Sequence, residues 1–240
     1  MFIPQKNIKK ILPPPVKANH FEYSMLFSAC DEKASATPSL IDLSLLSIQK
    51  AKDTDLAELS KRLITPPFYP NIWPGEHYRL LAGFVSVLKP KLIIEIGTAM
   101  GLSALSMKHT LPKDGKIVTF DLFSWRDDKN TVLCEKDFQD NRLVQHVDDL
   151  SQESVFQKYT DLFQHADLVF IDVTHDGVLE KILLEKFAAL NFTTKPYFIF
   201  DDIRLWYMLK MWREINHPKL DLTSFGHWSG TGIVELNTKN

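Results

Sequence analysis

The chain has 240 residues, 28 Lys plus Arg against 30 Asp plus Glu, and a formal net charge of -2. Apolar residues make up 45% and charged residues 24%, enough buried surface to offset chain ordering, which excludes a disordered protein. Pervasive basicity is absent and no apolar run approaches the roughly 20 residues that span a bilayer, so neither nucleic acid nor membrane is an expected partner.

The N-terminus lacks the apolar stretch of a secretory signal. Cys30 and Cys134 lie 104 positions apart with no CxxC pair, which argues against a structural zinc site or a disulfide framework. A cytoplasmic protein is expected.

Residues 1–37 read as an arm. Pro13, Pro14 and Pro15 favour extended polyproline geometry, and Phe21, Tyr23 and Phe27 form a short aromatic cluster. That cluster could cover a substrate or pack on a partner subunit in a homo-oligomer, and the sequence leaves both open. From Ser39 to Leu63 the spacing of Leu43, Leu46, Ala51, Leu56, Leu59 and Leu63 predicts helix, with a break near Asp53–Asp55. Ile64–Gly75 contains four prolines and reads as an irregular connection. Glu76–Leu88 returns to helical spacing, with Leu80, Leu81, Phe84, Val85 and Leu88 as its buried stripe and Lys89-Pro90 ending it.

Short apolar strands then alternate with helices. Strands are predicted at Leu92–Ile96, Lys116–Phe120, Leu143–Val147, Leu168–Ile171 and Tyr197–Phe200, with helices at Ser103–Thr110 and around Val178–Leu190. Nearly continuous apolar strands of this kind imply an α/β fold with a doubly wound, mostly parallel sheet covered on both faces. Two short β-like runs around Ser229-Gly230-Thr231-Gly232 predict an antiparallel hairpin closing the sheet edge. The expected division is a helical N-terminal extension over 1–70 and a ligand-binding domain over 71–240.

The segment LIIEIGTAMG, Leu92–Gly101, carries the first chemical signal. Gly97 and Gly101 bracket a tight turn between strand and helix, where the backbone must bend sharply or approach a ligand closely. Asp121, 20 residues after Gly101, ends the next strand, where a carboxylate can accept both hydroxyls of a ribose. The glycine spacing is not the G-x-G-x-x-G of nicotinamide enzymes.

EIGTAMGLSAL resembles the first motif of class I S-adenosylmethionine-dependent methyltransferases, and most of all the O-methyltransferase form E-x-G-x-x-x-G-x-S. The resemblance runs from Trp73 to the C-terminus and implies a Rossmann-like domain. It implies that Glu95, Gly97, Thr98, Gly101 and Ser103 form the cofactor loop and that Asp121 holds the ribose of S-adenosylmethionine. VDDLSQ sits where the family's adenine-contacting loop falls, which implicates Asp149 and Ser151.

Asp172 ends one apolar strand, and Asp201 and Asp202 end the next, 29 residues later. On parallel neighbouring strands, about 4.8 Å apart, these carboxylates would converge on one crevice. Such repulsion raises carboxyl pKa values unless a cation intervenes. Strand-end Asp residues also cap following helices, so the pattern has a purely structural reading too.

Metal-dependent O-methyltransferases are similar here, with an Asp after one strand and Asp-Asn after the next. The resemblance implies that Asp172, Asp201 and Asp202 hold Mg²⁺ or another divalent cation, with Asp202 replacing the Asn. His175 stands where that family has a Lys beside the acceptor hydroxyl. Histidine can take a proton at neutral pH, which makes His175 the candidate base and Asp172 its catalytic partner.

His227 lies within SFGHWSGTG and reads as structural ahead of a substrate-pocket role. Trp206, Tyr207, Met208, Met211 and Trp212 read as a core-packing stripe. The expected function is S-adenosylmethionine-dependent methyl transfer to a hydroxyl of a small molecule, a sugar, phenol or other secondary metabolite, assisted by Mg²⁺. A metal-independent methyltransferase and a non-catalytic binding module on the same fold stay open as alternatives.

Overall fold

The computed structural model describes residues 33–236. The proline run, the aromatic cluster and Cys30, and with them the expected partner-subunit contact, lie outside the described residues.

The predicted break in the first helical region is present. Helix α1 (Pro38–Asp53) ends at Thr54, and the Asp55 carboxylate accepts the Ala57 amide at 2.8 Å to open the short α2 (Ala57–Ser60). At the other end of α1 the Thr37 hydroxyl accepts the Leu40 amide at 3.1 Å and donates to Glu235 at 2.6 Å. That pair ties the start of the described chain to its last strand. Helix α3 spans Tyr78–Leu88 and stops at Lys89, whose φ of 50° is left-handed. Glu76 and His77, predicted as its first residues, lie ahead of it.

The chain then alternates as expected: β1 (Leu92–Ile96), α4 (Leu102–Thr110), β2 (Lys116–Asp121) and β3 (Leu143–Val147). Two short helices absent from the predicted pattern follow, α5 (Glu153–Lys158) and α6 (Thr160–Phe163). Then come β4 (Leu168–Ile171), α7 (Leu179–Ala188), β5 (Tyr197–Asp201), α8 (Trp206–Glu214), β6 (Lys219–Asp221) and β7 (Thr231–Glu235). The strands form one seven-stranded sheet in the order β3-β2-β1-β4-β5-β7-β6. The first five are parallel, while β7 runs antiparallel between β5 and β6, placing the predicted antiparallel pair at the sheet edge.

Alternation along the strands separates two apolar layers. Ile93, Ile117, Phe170 and Ile199 pack with α1, α3 and α4, through Leu40, Leu80, Leu81 and Phe84. Ile94, Val118, Val169 and Phe198 pack on the other face with α5 to α8, through Phe156, Phe163, Phe187 and Trp212. Strands buried on both faces are what their continuous apolar runs require. Because β1 pairs with β2 on one side and β4 on the other, the strand order reverses at its carboxyl end. Open α/β sheets bind ligands in the crevice at such a point. Among the described residues no helix is long and apolar enough to cross a membrane.

Candidate active site

At the end of β1 the chain turns through Gly97, with φ 98°, and Gly101, with φ 86°. Both values lie where L side chains are strained, and space is equally restrictive. A Cβ at Gly97 would lie 1.8 Å from the carbonyl oxygen of Asp172, so the turn and the end of β4 meet backbone to backbone. At Gly101 a Cβ would collide with Leu133.

Asp121 fastens this turn. Its Oδ2 accepts the amides of Thr98 at 2.9 Å and Ala99 at 3.0 Å, and its Oδ1 accepts that of Phe123 at 3.1 Å. Oδ2 is taken up by its two amides, while Oδ1, with one, keeps acceptor capacity for a ligand hydroxyl. The Thr98 hydroxyl is buried against the Thr119 hydroxyl at 2.7 Å and accepts the Gln145 side-chain amide at 3.1 Å. Glu95 lies fully buried beneath the turn, and neither carboxylate oxygen has a hydrogen-bond partner. Burial lifts its carboxyl to about 7, opposed by the neighbouring Ser103 and Thr119 hydroxyls.

A cavity of about 410 Å³ opens beside the turn and is lined by Gly97, Asp121, Asp149, Ser151 and Asp172 among others. Five of the residues singled out in sequence therefore meet in one space. Glu95, Thr98 and Ser103 are buried, and Gly101 stands at the head of α4; these four support the turn rather than line the cavity. Asp149 also shapes the adjoining loop, accepting the Ser151 amide at 3.0 Å and the Gln152 side chain at 3.0 Å.

Beyond Asp172 the crevice becomes an alternating series of acids and imidazoles. His175 Nε2 lies 3.5 Å from Asp172, and its Nδ1 lies 3.2 Å from Asp202. His227 Nδ1 lies 3.1 Å from Asp202 and 3.0 Å from Asp201. His77 Nδ1 lies 3.2 Å from the other oxygen of Asp201, at ion-pair distance but not aligned for a hydrogen bond. Glu76 approaches His227 Nε2 at 3.8 Å, and the Ser229 hydroxyl donates to Asp202.

Charge in this crevice is strongly coupled. Burial and then Asp201 raise the Asp172 carboxyl to about 6, against the pull of His77 and His175. Burial also works to raise Asp201, yet His77 and His227 hold it well below the usual carboxylate range. Burial alone would lower His227, but Asp201 and Asp202 raise it to about 10. The same contest leaves the buried His77 raised, with Asp201 the dominant partner.

Sequence reasoning brought Asp172, Asp201, Asp202 and His175 to this crevice. The three carboxylates share it, but they are spaced apart by the imidazoles instead of forming a compact oxygen set. Among the described residues the one group of three ligand atoms lying within 4.8 Å of each other is His77, Asp201 and His227. His77 was not singled out, since one histidine in the first turn of a predicted helix carries no pattern. Glu180 was missed as well: buried in α7, it accepts the amides of His175 at 2.7 Å and Gly177 at 2.9 Å. Those bonds hold His175 at its left-handed φ of 55°.

Comparison with known proteins bears on the fold and the family. No curated protein matches the chain. The solved structure of an O-methyltransferase from Bacillus cereus in complex with SAH is 15% identical, with a TM-score of 0.50, covering 80% of this chain and 90% of that one. A protein from Corynebacterium glutamicum is 16% identical, with a TM-score of 0.52, covering 81% and 91%. At such identities the likeness concerns the fold. The family model described as O-methyltransferase matches residues 47–187, more than half of the chain, from within α1 to within α7, and takes in every residue lining the cavity. The chain therefore belongs to the O-methyltransferase family and has the Rossmann-like fold of class I S-adenosylmethionine-dependent methyltransferases.

Proposed function

We propose that the protein binds S-adenosylmethionine in the cavity beside the glycine turn and transfers its methyl group to a hydroxyl of a small molecule held at the acid–imidazole crevice. One observation carries the reading: Asp172 belongs to both spaces, lining the cavity with Gly97 and Asp121 and lying 3.5 Å from His175. A methyl donor and a proton-accepting side chain are thus set on either side of one residue. Such juxtaposition supplies the orientation that a bimolecular transfer otherwise lacks.

The roles follow from position. Asp121 Oδ1 offers its free acceptor capacity to a ribose hydroxyl, while Asp149 and Ser151 line the same cavity and would meet the adenine. Asp202 and Glu180 orient His175, the first at Nδ1 and the second through the backbone. That leaves Nε2, the more loosely held nitrogen, to take the proton of the acceptor hydroxyl as its oxygen attacks the methyl carbon in line. The acceptor oxygen gains the methyl group, and the cofactor leaves as its thioether.

The family resemblance also implies a divalent cation at this crevice. Asp201 Oδ1, buried and without a hydrogen-bond partner, fits a cation beside it. When bound, such an ion would lower the pKa of a nearby acceptor hydroxyl. A phenol, a sugar and other secondary metabolites all present a suitable hydroxyl.

The test is calorimetric titration of the metal-stripped protein with S-adenosylmethionine, followed by an acceptor screen that reads out the demethylated cofactor. Micromolar binding that Asp121→Ala abolishes, with turnover that His175→Ala lowers, is expected. Binding indifferent to Asp121→Ala would refute the placement of the cofactor.

A further inference from the structure

We propose that His77, Asp201 and His227 form a site for a transition-metal dication of the zinc class, rather than the all-oxygen Mg²⁺ site that Asp172, Asp201 and Asp202 would make. The proposal deepens the reading above by naming the ion. It rests on that reading only for the ion's role, because the site stands on its own geometry.

Three observations carry it. The first is the spacing. His77 Nδ1 lies 3.2 Å from one oxygen of Asp201 and His227 Nδ1 lies 3.0 Å from the other, and one ligand atom from each of the three residues lies within 4.8 Å of the other two. Neighbouring ligands about 2.0–2.1 Å from a tetrahedral ion stand about 3.3 Å apart, so modest side-chain rotation would complete the set.

The second is unmet bonding capacity. His77 is only 3% exposed, and neither ring nitrogen has a hydrogen-bond partner. Asp201 is also 3% exposed, and its Oδ1 is equally unpartnered. Buried polar groups are almost always satisfied, and here the unsatisfied atoms of two neighbouring side chains point to one missing partner.

The third is construction. The segments carrying His77 and His227 are far apart in sequence but fastened by main-chain and indole hydrogen bonds. Gly75 N donates to Gly226 O at 3.2 Å, Trp228 N to Gly75 O at 2.9 Å, and Trp73 Nε1 to Phe225 O at 2.8 Å. Asp201 enters from β5 between them. Glu76, 3.8 Å from His227 Nε2, stands where outer carboxylates orient a ligating histidine through its second nitrogen.

The donor chemistry selects the ion. Mg²⁺ prefers six oxygens in near-ideal octahedral geometry, whereas imidazole nitrogen suits zinc and its neighbours. Three protein ligands also leave coordination positions open, as in catalytic sites.

The experiment strips the full-length protein with a chelator and titrates it with Zn²⁺ by calorimetry, in the absence and presence of millimolar Mg²⁺. Co²⁺ absorption serves as a second probe of nitrogen ligation. One equivalent of Zn²⁺ should bind at micromolar affinity or tighter, undisplaced by Mg²⁺. His77→Gln and His227→Gln should each weaken it by about 100-fold or more and alter the Co²⁺ bands, while Asp172→Asn changes it far less.

No stoichiometric binding, displacement by Mg²⁺, or loss in Asp172→Asn and Asp202→Asn with the histidine variants unaffected would each overturn the proposal. If His77→Gln does not fold, His227→Gln decides, since its ring is on a loop. S-adenosylmethionine binding is measured in parallel on each variant. Its absence with Zn²⁺ binding intact would count against methyl transfer and leave the metal site standing.

Discussion

Glu95 offers the sharpest physical test, because its cost to the fold depends on pH. The side chain is fully buried, has no hydrogen-bond partner, and titrates at about 7 instead of the ordinary 4.5. A displacement of that size corresponds to about 3 kcal/mol between its two protonation states. The raised native pKa fixes the sign. Between about pH 4.5 and 7 the native state keeps a proton that the unfolded chain has released, so stability is fully present below 4.5, falls through the window, and levels off above 7.

Glu95→Gln keeps the shape and cannot ionise. Its stability relative to the parent should therefore climb by about 3 kcal/mol from acid to mildly alkaline pH, a Tm difference of roughly 6–12 °C for a chain of this size. Any fixed cost of the new amide is the same at every pH, so the slope of the difference is the measurement. Urea unfolding of both proteins across that window reads it. A difference that stays flat with pH would refute the argument that burial governs this carboxyl.

Gly97→Ala should part the turn from Asp172, since its Cβ would sit 1.8 Å from that carbonyl oxygen at a φ of 98°. The crowding and the left-handed backbone each cost about 1–3 kcal/mol, and S-adenosylmethionine binding measured by calorimetry should weaken by about tenfold or more. Asp137→Ala removes the fork in which Arg62 grips both carboxylate oxygens, at 2.6 and 2.9 Å, and should lose about 2 kcal/mol in urea unfolding at neutral pH. Burial opposes ionisation of Asp137, but Arg62 and the Cys134 amide hold its carboxyl below the ordinary range. The parent should therefore shed this stability as pH falls below about 4, and the variant should not. Glu180→Gln should lower kcat while leaving S-adenosylmethionine affinity unchanged, because Glu180 meets the His175 amide and lies outside the cofactor cavity. A fall in affinity instead would relocate its role.

The sheet was legible because β1, β2, β4 and β5 are largely buried on both faces and appear as short, nearly continuous apolar runs, while the part-buried edge strand β3 still carries Leu143, Val144 and Val147 in a short run. All five parallel strands lie where those runs are, the ends differing by a residue at β2 and β5. Helices α5 and α6 escaped because each is barely more than a turn, too short for periodicity, and their buried Phe156 and Phe163 sit among Gln, Lys and Asp. The turn and the carboxylates at strand ends were legible for a different reason: position at a strand's carboxyl edge is a property of the fold. Glu76 and His77 were not, since they gain meaning only when the loop ahead of β7 closes over them. His227 was weighed mainly as structural, and its contact with Asp201 shows how chain-end loops reach the crevice through the antiparallel edge.

The two halves of the site consequently have different origins. The proposed donor side rests on main-chain geometry around Gly97 and on Asp121, which ties its own turn. The acid–imidazole side, where the acceptor is proposed to lie, joins carboxylates at the ends of β4 and β5 to side chains from two connecting segments, 73–77 and 223–230, the second opening with a 3-10 turn at Thr223–Phe225, which hydrogen bonds fasten to each other. A change of residue in those segments would alter which groups face the acceptor without disturbing the sheet or the cofactor turn. Specificity grafted on a shared frame behaves in this way.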